Sequence, residues 1–259
     1  MRLHPIAGPF GRVLAAALVV ATMAPAALAQ RGRGAGPGPQ AAQSPQASAP
    51  IDLTGYWVSI VNEDWRWRMV TPLKGDVASV PLNAEGLKVA KSWDPATDGS
   101  CLAYGAAAVM RMPTRLHITW ESENTLRVDT DAGAQTRRLM FNAATQAPEV
   151  KSLQGFSRAE WERMAIRGAA RGAPPAGGHL KVVTTNLAGG WLRKNGVPYS
   201  DQATVVEYFD RFAAPGNSEW LVVTTAVTDP KYLTQEFVTS THFRREPDGS
   251  KWDPTACKP

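Results

Sequence analysis

Two histidines and one run of alternating charges and indoles carry the chemistry this sequence could offer. His117 lies within TRLHITW and His242 within VTSTHFRR, each at a polar position of an alternating stretch. Imidazoles on strands facing one cavity can act as acid and base or bind a metal. A carboxylate such as Asp64 or Glu207 would orient them or complete the ligand set. In EDWRWRM, Asp64, Arg66 and Arg68 alternate with Trp65 and Trp67. Turned inward, this carboxylate and these guanidiniums would suit a carboxylated or phenolic ligand. Turned outward, they would form a solvated ladder of little energetic worth. Arg137 joins His117, His242, Asp64 and Arg66 in the constellation assembled from separate strands. Trp65, Trp67 and Trp191 could supply an aromatic ligand wall, while Trp57, Trp120 and Trp220 fall in core registers. His117 and His242 are 125 residues apart with no spacing signature, so the plainer reading places them in the wall or in solvent.

No contiguous motif offers a reactive centre. G-x-S-x-G, H-E-x-x-H, a phosphate-cradling glycine loop and C-x-x-C are all missing. Cys101 and Cys257 are the only cysteines, and in an exported chain one structural disulfide between them is expected. Closing so long a loop would stabilise the fold by roughly 4–5 kcal/mol in the chain-entropy account.

Short alternating strands must position these residues. The stretch Trp220–Thr228, the turn at Asp229-Pro230 and Gln235–Arg244 form a hairpin rich in β-branched and aromatic residues. On its second strand Phe237, Thr239, Thr241 and Phe243 share one face, and Val238, Ser240, His242 and Arg244 share the other. Earlier strands are expected at Ile51–Val70, with a bend near Asn62–Asp64, and at Thr114–Glu121, Leu126–Thr130 and Gln135–Phe141. Later ones are expected at His179–Asn186, Trp191–Lys194 and Ala203–Phe212. Asn83 can cap a helix over Ala84–Trp93, and the capping box Ser157-Arg158-Ala159-Glu160 predicts a second helix to Arg167. The loop Gly168–Gly178 separates it from the strands that follow. The pattern predicts a mainly β domain over residues 51–259, with about nine strands and two short helices. It forms an antiparallel barrel or curled sheet, with a two-layer sandwich as the alternative.

The first 29 residues have a basic start, an apolar run from Val13 to Met23 and an Ala27-Leu28-Ala29 cleavage signal, so they read as a signal peptide. Residues 30–50 are Gly, Pro, Ala, Gln and Ser without periodicity, as in a disordered linker. The chain is then periplasmic or secreted, with no integral membrane span after cleavage. The basic balance does not imply nucleic acid. Of 28 Lys and Arg, four precede residue 51 and none of the 23 acids does, which leaves 24 bases against 23 acids.

Gly55-Tyr56-Trp57 in the first strand, with Arg244 or Arg245 after the last, resembles the G-x-W and closing-arginine features of lipocalin-type barrels. That resemblance implies a Trp packed across the closed end of a barrel with the Arg over it. More extensively, EDWRWRMVTPLKGD, MRMPTRLHITWESENTLRVDTDAGAQTR, WLRKNGVPYS and the final strand pair resemble an uncharacterised family of exported bacterial β-rich proteins. It implies export and the fold, not a reaction. The leading expectation is an exported barrel that binds a small apolar or aromatic molecule in its interior, with Arg66, His117 and His242 at its polar end. The alternatives are a lyase, isomerase or hydrolase using His117 or His242 with Asp64, and an envelope interaction module working through strand edges or aromatic patches.

Overall fold

The computed structural model describes residues 43–97, 101–142, 144–163 and 177–257, so the expected leader and most of the linker lie outside it. Nine strands close into one barrel in the order β1-β12-β11-β10-β7-β6-β5-β3-β2. They are β1 (Gly55–Ile60), β2 (Arg115–Ser122), β3 (Thr125–Thr130), β5 (Thr136–Met140), β6 (Phe156–Arg163), β7 (Gly178–Thr185), β10 (Thr204–Ala214), β11 (Ser218–Thr228) and β12 (Phe237–Glu246). Every pairing within the barrel is antiparallel except β5 with β6. An odd number of strands in a ring cannot alternate direction throughout, so one parallel seam is a necessity. Two short pairs lie outside the barrel: β8 (Gly190–Arg193) with β9 (Val197–Tyr199), and β4 (Ala132–Gly133) with β13 (Thr255–Ala256). Among the described residues the α-helices are α1 (Trp65–Arg68) and α2 (Ala84–Ser92), the second capped by the Asn83 side chain on the Gly86 amide.

The period-two pattern decides what faces inward. On β12, Phe237, Thr239, Thr241 and Phe243 are buried and their neighbours are not, as the alternation predicts. Pro215-Gly216-Asn217 joins β10 to β11, with Gly216 at φ +74° and Asn217 at φ +57°, left-handed positions that Gly and Asn tolerate. The hairpin then keeps unbroken register from Thr204↔Thr228 to Ala214↔Ser218.

One end is closed by Trp57, which is fully buried, with its indole N–H donating to the Leu53 carbonyl at 2.9 Å. The Arg245 guanidinium lies over the Trp57 ring at 5.4 Å, so Arg245, not the exposed Arg244, takes the closing position. The other end is stoppered by the chain itself. Gly105–Met112 is buried along its length, Val109 and Met110 join the core cluster of inward residues such as Leu116, Val128, Leu180 and Phe243, and Ala106 and Ala107 pack in a second cluster with Val205, Val227 and Phe237. The apolar patch expected to sit in a loop is therefore a plug. The interior that was expected to hold a ligand is occupied by these side chains.

Three expectations need correction. Ser157–Arg163 is strand, not helix, and residues 164–167 lie outside the described residues. Ser157, Ala159 and Trp161 alternate with Arg158, Glu160 and Glu162, and β7 offers an edge that β6 pairs along from Phe156↔Thr185 to Arg163↔Gly178. Tertiary pairing overrides the capping box, and the Ser157 hydroxyl meets Thr184 at 2.8 Å instead. Second, the strand around Trp191 forms but stays outside the barrel, so the nine barrel strands include β6 in its place. Third, residues 43–50 are not a free linker: Gln46 donates to Glu123, the Trp161 indole donates to Pro45, and Arg163 reaches Ser48.

Cys101 and Cys257 form the expected disulfide, 156 positions apart. With β4–β13, it ties the C-terminal tail beside the segment that leads into the plug. Replacing both cysteines by alanine is expected to lower unfolding free energy by roughly 4–5 kcal/mol in urea titrations at matched protein concentration.

Candidate anion site at the barrel mouth

Because Val109 and Met110 enter the barrel, Arg111 follows them into the mouth and is 5% exposed. Its Nη2 donates to the Asp64 carboxylate at 3.0 Å, its guanidinium lies 5.7 Å from the Phe237 ring centre, and its Nη1 is buried without a partner. Asp64 sits at φ +51°, a left-handed turn that ends the run from β1 and starts α1. That single turn is inverted for a surface helix: Arg68 is buried while Trp65 and Met69 are exposed. Arg68 donates through Nε to the Arg111 carbonyl at 2.8 Å and pairs with Glu63, and its Nη2 is a second buried nitrogen without an acceptor.

Arg193 at the end of β8 is the third guanidinium. It is 3% exposed and stacks over Trp67 at 4.7 Å, yet Nε and Nη1 are buried and unbonded, and among the described residues no carboxylate pairs with it. Burial pushes its pKa down to about 10; Arg111 and Arg66 lower it further, while Asp64 and Asp76 oppose the shift. Burial also lowers Arg68, with Glu63 and Asp64 opposing and Arg111 reinforcing. Arg66 is exposed and bonds Asp76 at 2.9 Å, and the Trp67 indole donates to the same carboxylate oxygen at 3.2 Å. Asn195, fully buried, donates to the Leu73 and Asp76 carbonyls and so holds this loop against the β8–β9 hairpin. The mouth thus gathers Arg66, Arg68, Arg111 and Arg193 against Glu63, Asp64 and Asp76, with four buried guanidinium nitrogens unsatisfied. Such groups cost free energy unless an acceptor reaches them.

The expected constellation is assembled only in part. Asp64, Arg66 and Trp67 meet here, and Trp65 stands 65% exposed at its edge. His117 and His242 do not face the interior: they lie on the outer wall on β2 and β12, the strands flanking β1. His117 stacks on Tyr56 at 4.1 Å with Trp252 edge-on at 5.9 Å. His242 Nδ1 lies 2.9 Å from Glu63 and 3.1 Å from Asn62, so its carboxylate neighbour is Glu63 rather than Asp64. The side-chain alternation is responsible, since Leu116 and Ile118, and Thr241 and Phe243, hold the inner registers.

Arg137 does point inward, but to a different place. It is fully buried, with Nη1 and Nη2 at 2.9 and 2.5 Å from the two oxygens of Glu207 and Nη2 at 3.3 Å from Thr184. Both terminal nitrogens are engaged, which leaves Glu207 no freedom to ligate a metal. Trp191 packs with Ala103, Ala108 and Met112 on the outside of the plug and lines a separate cleft of about 350 Å3 with Tyr199 and Lys231. Sequence reasoning missed Arg111 and Arg193. Arg111 carried one usable signal, an arginine directly after the buried run AAAVM; Arg193 carried none beyond its place in a short strand.

No protein-family model, curated protein or solved structure matches the chain, so no family is assigned. Among the described residues, no helix is long and apolar enough to cross a membrane, and no three of His, Cys, Asp and Glu gather as metal ligands.

Two outcomes follow from the buried charges. Arg137→Met should cost about 3–5 kcal/mol by stranding Glu207, and adding Glu207→Leu should restore much of that loss, measured as a double-mutant cycle in urea. Arg193→Met should instead raise the stability of the ligand-free protein by about 1–2 kcal/mol. It removes a buried cation with no partner, offset in part by the lost Trp67 contact.

Proposed function

We propose that this is an exported binding protein whose barrel is a scaffold and whose site is the mouth, where a small ligand presents an anionic group to Arg193, Arg111 and Arg68. The observation that carries this reading is Arg193: a guanidinium 3% exposed, with two unbonded nitrogens and no ion-pair partner among the described residues. A planar carboxylate would accept from such a fork bidentately and supply the missing charge. The same cation without an anion is one of the most expensive things a fold can bury. Trp67 backs Arg193 and Arg66, and the exposed Trp65 gives an aromatic ligand flat surface beside that charge. This keeps the expected Asp64, Arg66, Trp65 and Trp67 in the site, moves it from the interior to the rim, and leaves His117 and His242 without a direct role. Export is supported by the leader-like first 29 residues and is compatible with the disulfide.

Thermal unfolding and calorimetric titration with benzoate, acetate and inorganic phosphate, at constant ionic strength set with chloride, test the proposal. At a carboxylate concentration 100 times Kd the protein should gain about 2.7 kcal/mol of stability. Arg193→Met should abolish that gain, and Arg66→Ala, at the exposed edge, should weaken binding less than tenfold. An Arg193→Met protein that titrates like the unaltered one would overturn the reading.

A further inference from the structure

Resting on that anion site, we infer that its ligand is an amphiphile, with the charged head held by the arginines and an apolar tail lying in an adjoining groove on the outer wall. Two independent features point there. First, Trp65, Met69, Val70 and Leu73 are 65%, 56%, 61% and 83% exposed, four large apolar side chains within one short segment that also supplies Arg68 and Trp67. Isolated exposed apolar residues are ordinary, but such a cluster marks a contact surface. Second, a groove of about 380 Å3 runs beneath Met69, walled by Val58, Val61 and Pro113, with Ser59, Thr114, Arg115 and Asp131 at its polar part.

The groove and the cluster share their framework. Met69 follows Arg68, Pro113 lies two residues after Arg111, and Val61 lies two before Glu63. The hydrogen bond from Arg68 Nε to the Arg111 carbonyl ties the same two segments together. The apolar trough is thus built on the same two segments that carry Arg68 and Arg111 into the mouth. The far polar part of that trough is already satisfied, because Arg115 bonds Glu246 at 2.9 Å and Thr114 and the Arg115 amide bond Asp131. It offers no second cation for a dianionic ligand, so one charged end and one oily end fit best. The volume of about 380 Å3 lies in the range of small-molecule sites and has room for a medium-length alkyl chain.

The test uses the purified protein with acetate, hexanoate and decanoate below their aggregation concentrations, decanol as the neutral control, and vesicles of phosphatidylglycerol. Affinity should rise from acetate to decanoate by about fourfold per methylene that enters the groove, and decanol should bind far more weakly than decanoate. Met69→Ser should remove the gain with chain length while leaving acetate binding unchanged, and Val61→Ser is the second variant for the same readout. If acetate and benzoate bind through Arg193 but chain length has no effect, the amphiphile inference fails and the anion site stands. If no carboxylate binds, the anion site itself fails. Co-sedimentation with the vesicles that depends on Trp65 but not on Arg193 would make the exposed segment a membrane-docking surface and overturn the inference as well.

Discussion

Packing Val109 and Met110 inside the barrel sets the conditions for everything at the mouth. A nine-stranded ring encloses space that has to be filled, and here the chain fills it with its own side chains rather than leaving it to a guest. The apolar gain of burying these side chains, on the order of 1.5–3 kcal/mol each for large ones, holds Gly105–Met112 in place. The next side chain but none, Arg111, is then carried into surroundings poor in water. Arg68 and Arg193 close around it, and the mouth becomes a small volume where cations outnumber the acids that could answer them.

The buried arginines of this protein are held in two different ways. Arg137 and Glu207 form a bidentate pair with zero side-chain exposure, reinforced by Thr184, so the charge is closed within the fold. Arg193 has only an aromatic face. The Arg137–Glu207 pair, with only the Arg137 Nε left unbonded, specifies how strands β5 and β10 lie across the interior; a guanidinium without any carboxylate leaves a demand that a ligand can meet. The same contrast explains why the histidines carry less than their chemistry suggested. His242 and Glu63 satisfy each other on the outer wall, and His117 is one layer of an aromatic stack.

Alternation along the strands was legible in the sequence, and with it the barrel and the inward face of β12, while the position of Trp57 followed from the G-x-W resemblance. Trp220, read into a core register, lies instead on the outer face of β11 edge-on to His242, because Leu221, Val223, Thr225 and Val227 take the inner register. The two cysteines, alone in the chain, could pair only with each other. Arg245 against Arg244 was open because two adjacent basic residues differ only in which face they take, and burial of Phe243 settles that Arg245 turns inward toward Trp57. The capping box at Ser157 misled because a local hydrogen-bonding preference of about 1 kcal/mol loses to a full ladder along β7.

What the sequence by itself determined is therefore the set of pieces whose rules are local: period-two faces, turns at Gly and Asn, the Asn83 cap and the single disulfide. Tertiary structure alone decided that an apolar loop segment would become the plug, that β8 would stand outside the barrel, and that arginines 68, 111 and 193 would meet. Those outcomes depend on which surfaces remain to be covered after the ring has closed. No residue's neighbours in the chain encode that, because a buried charge acquires its meaning from the acceptors that folding brings to it or withholds.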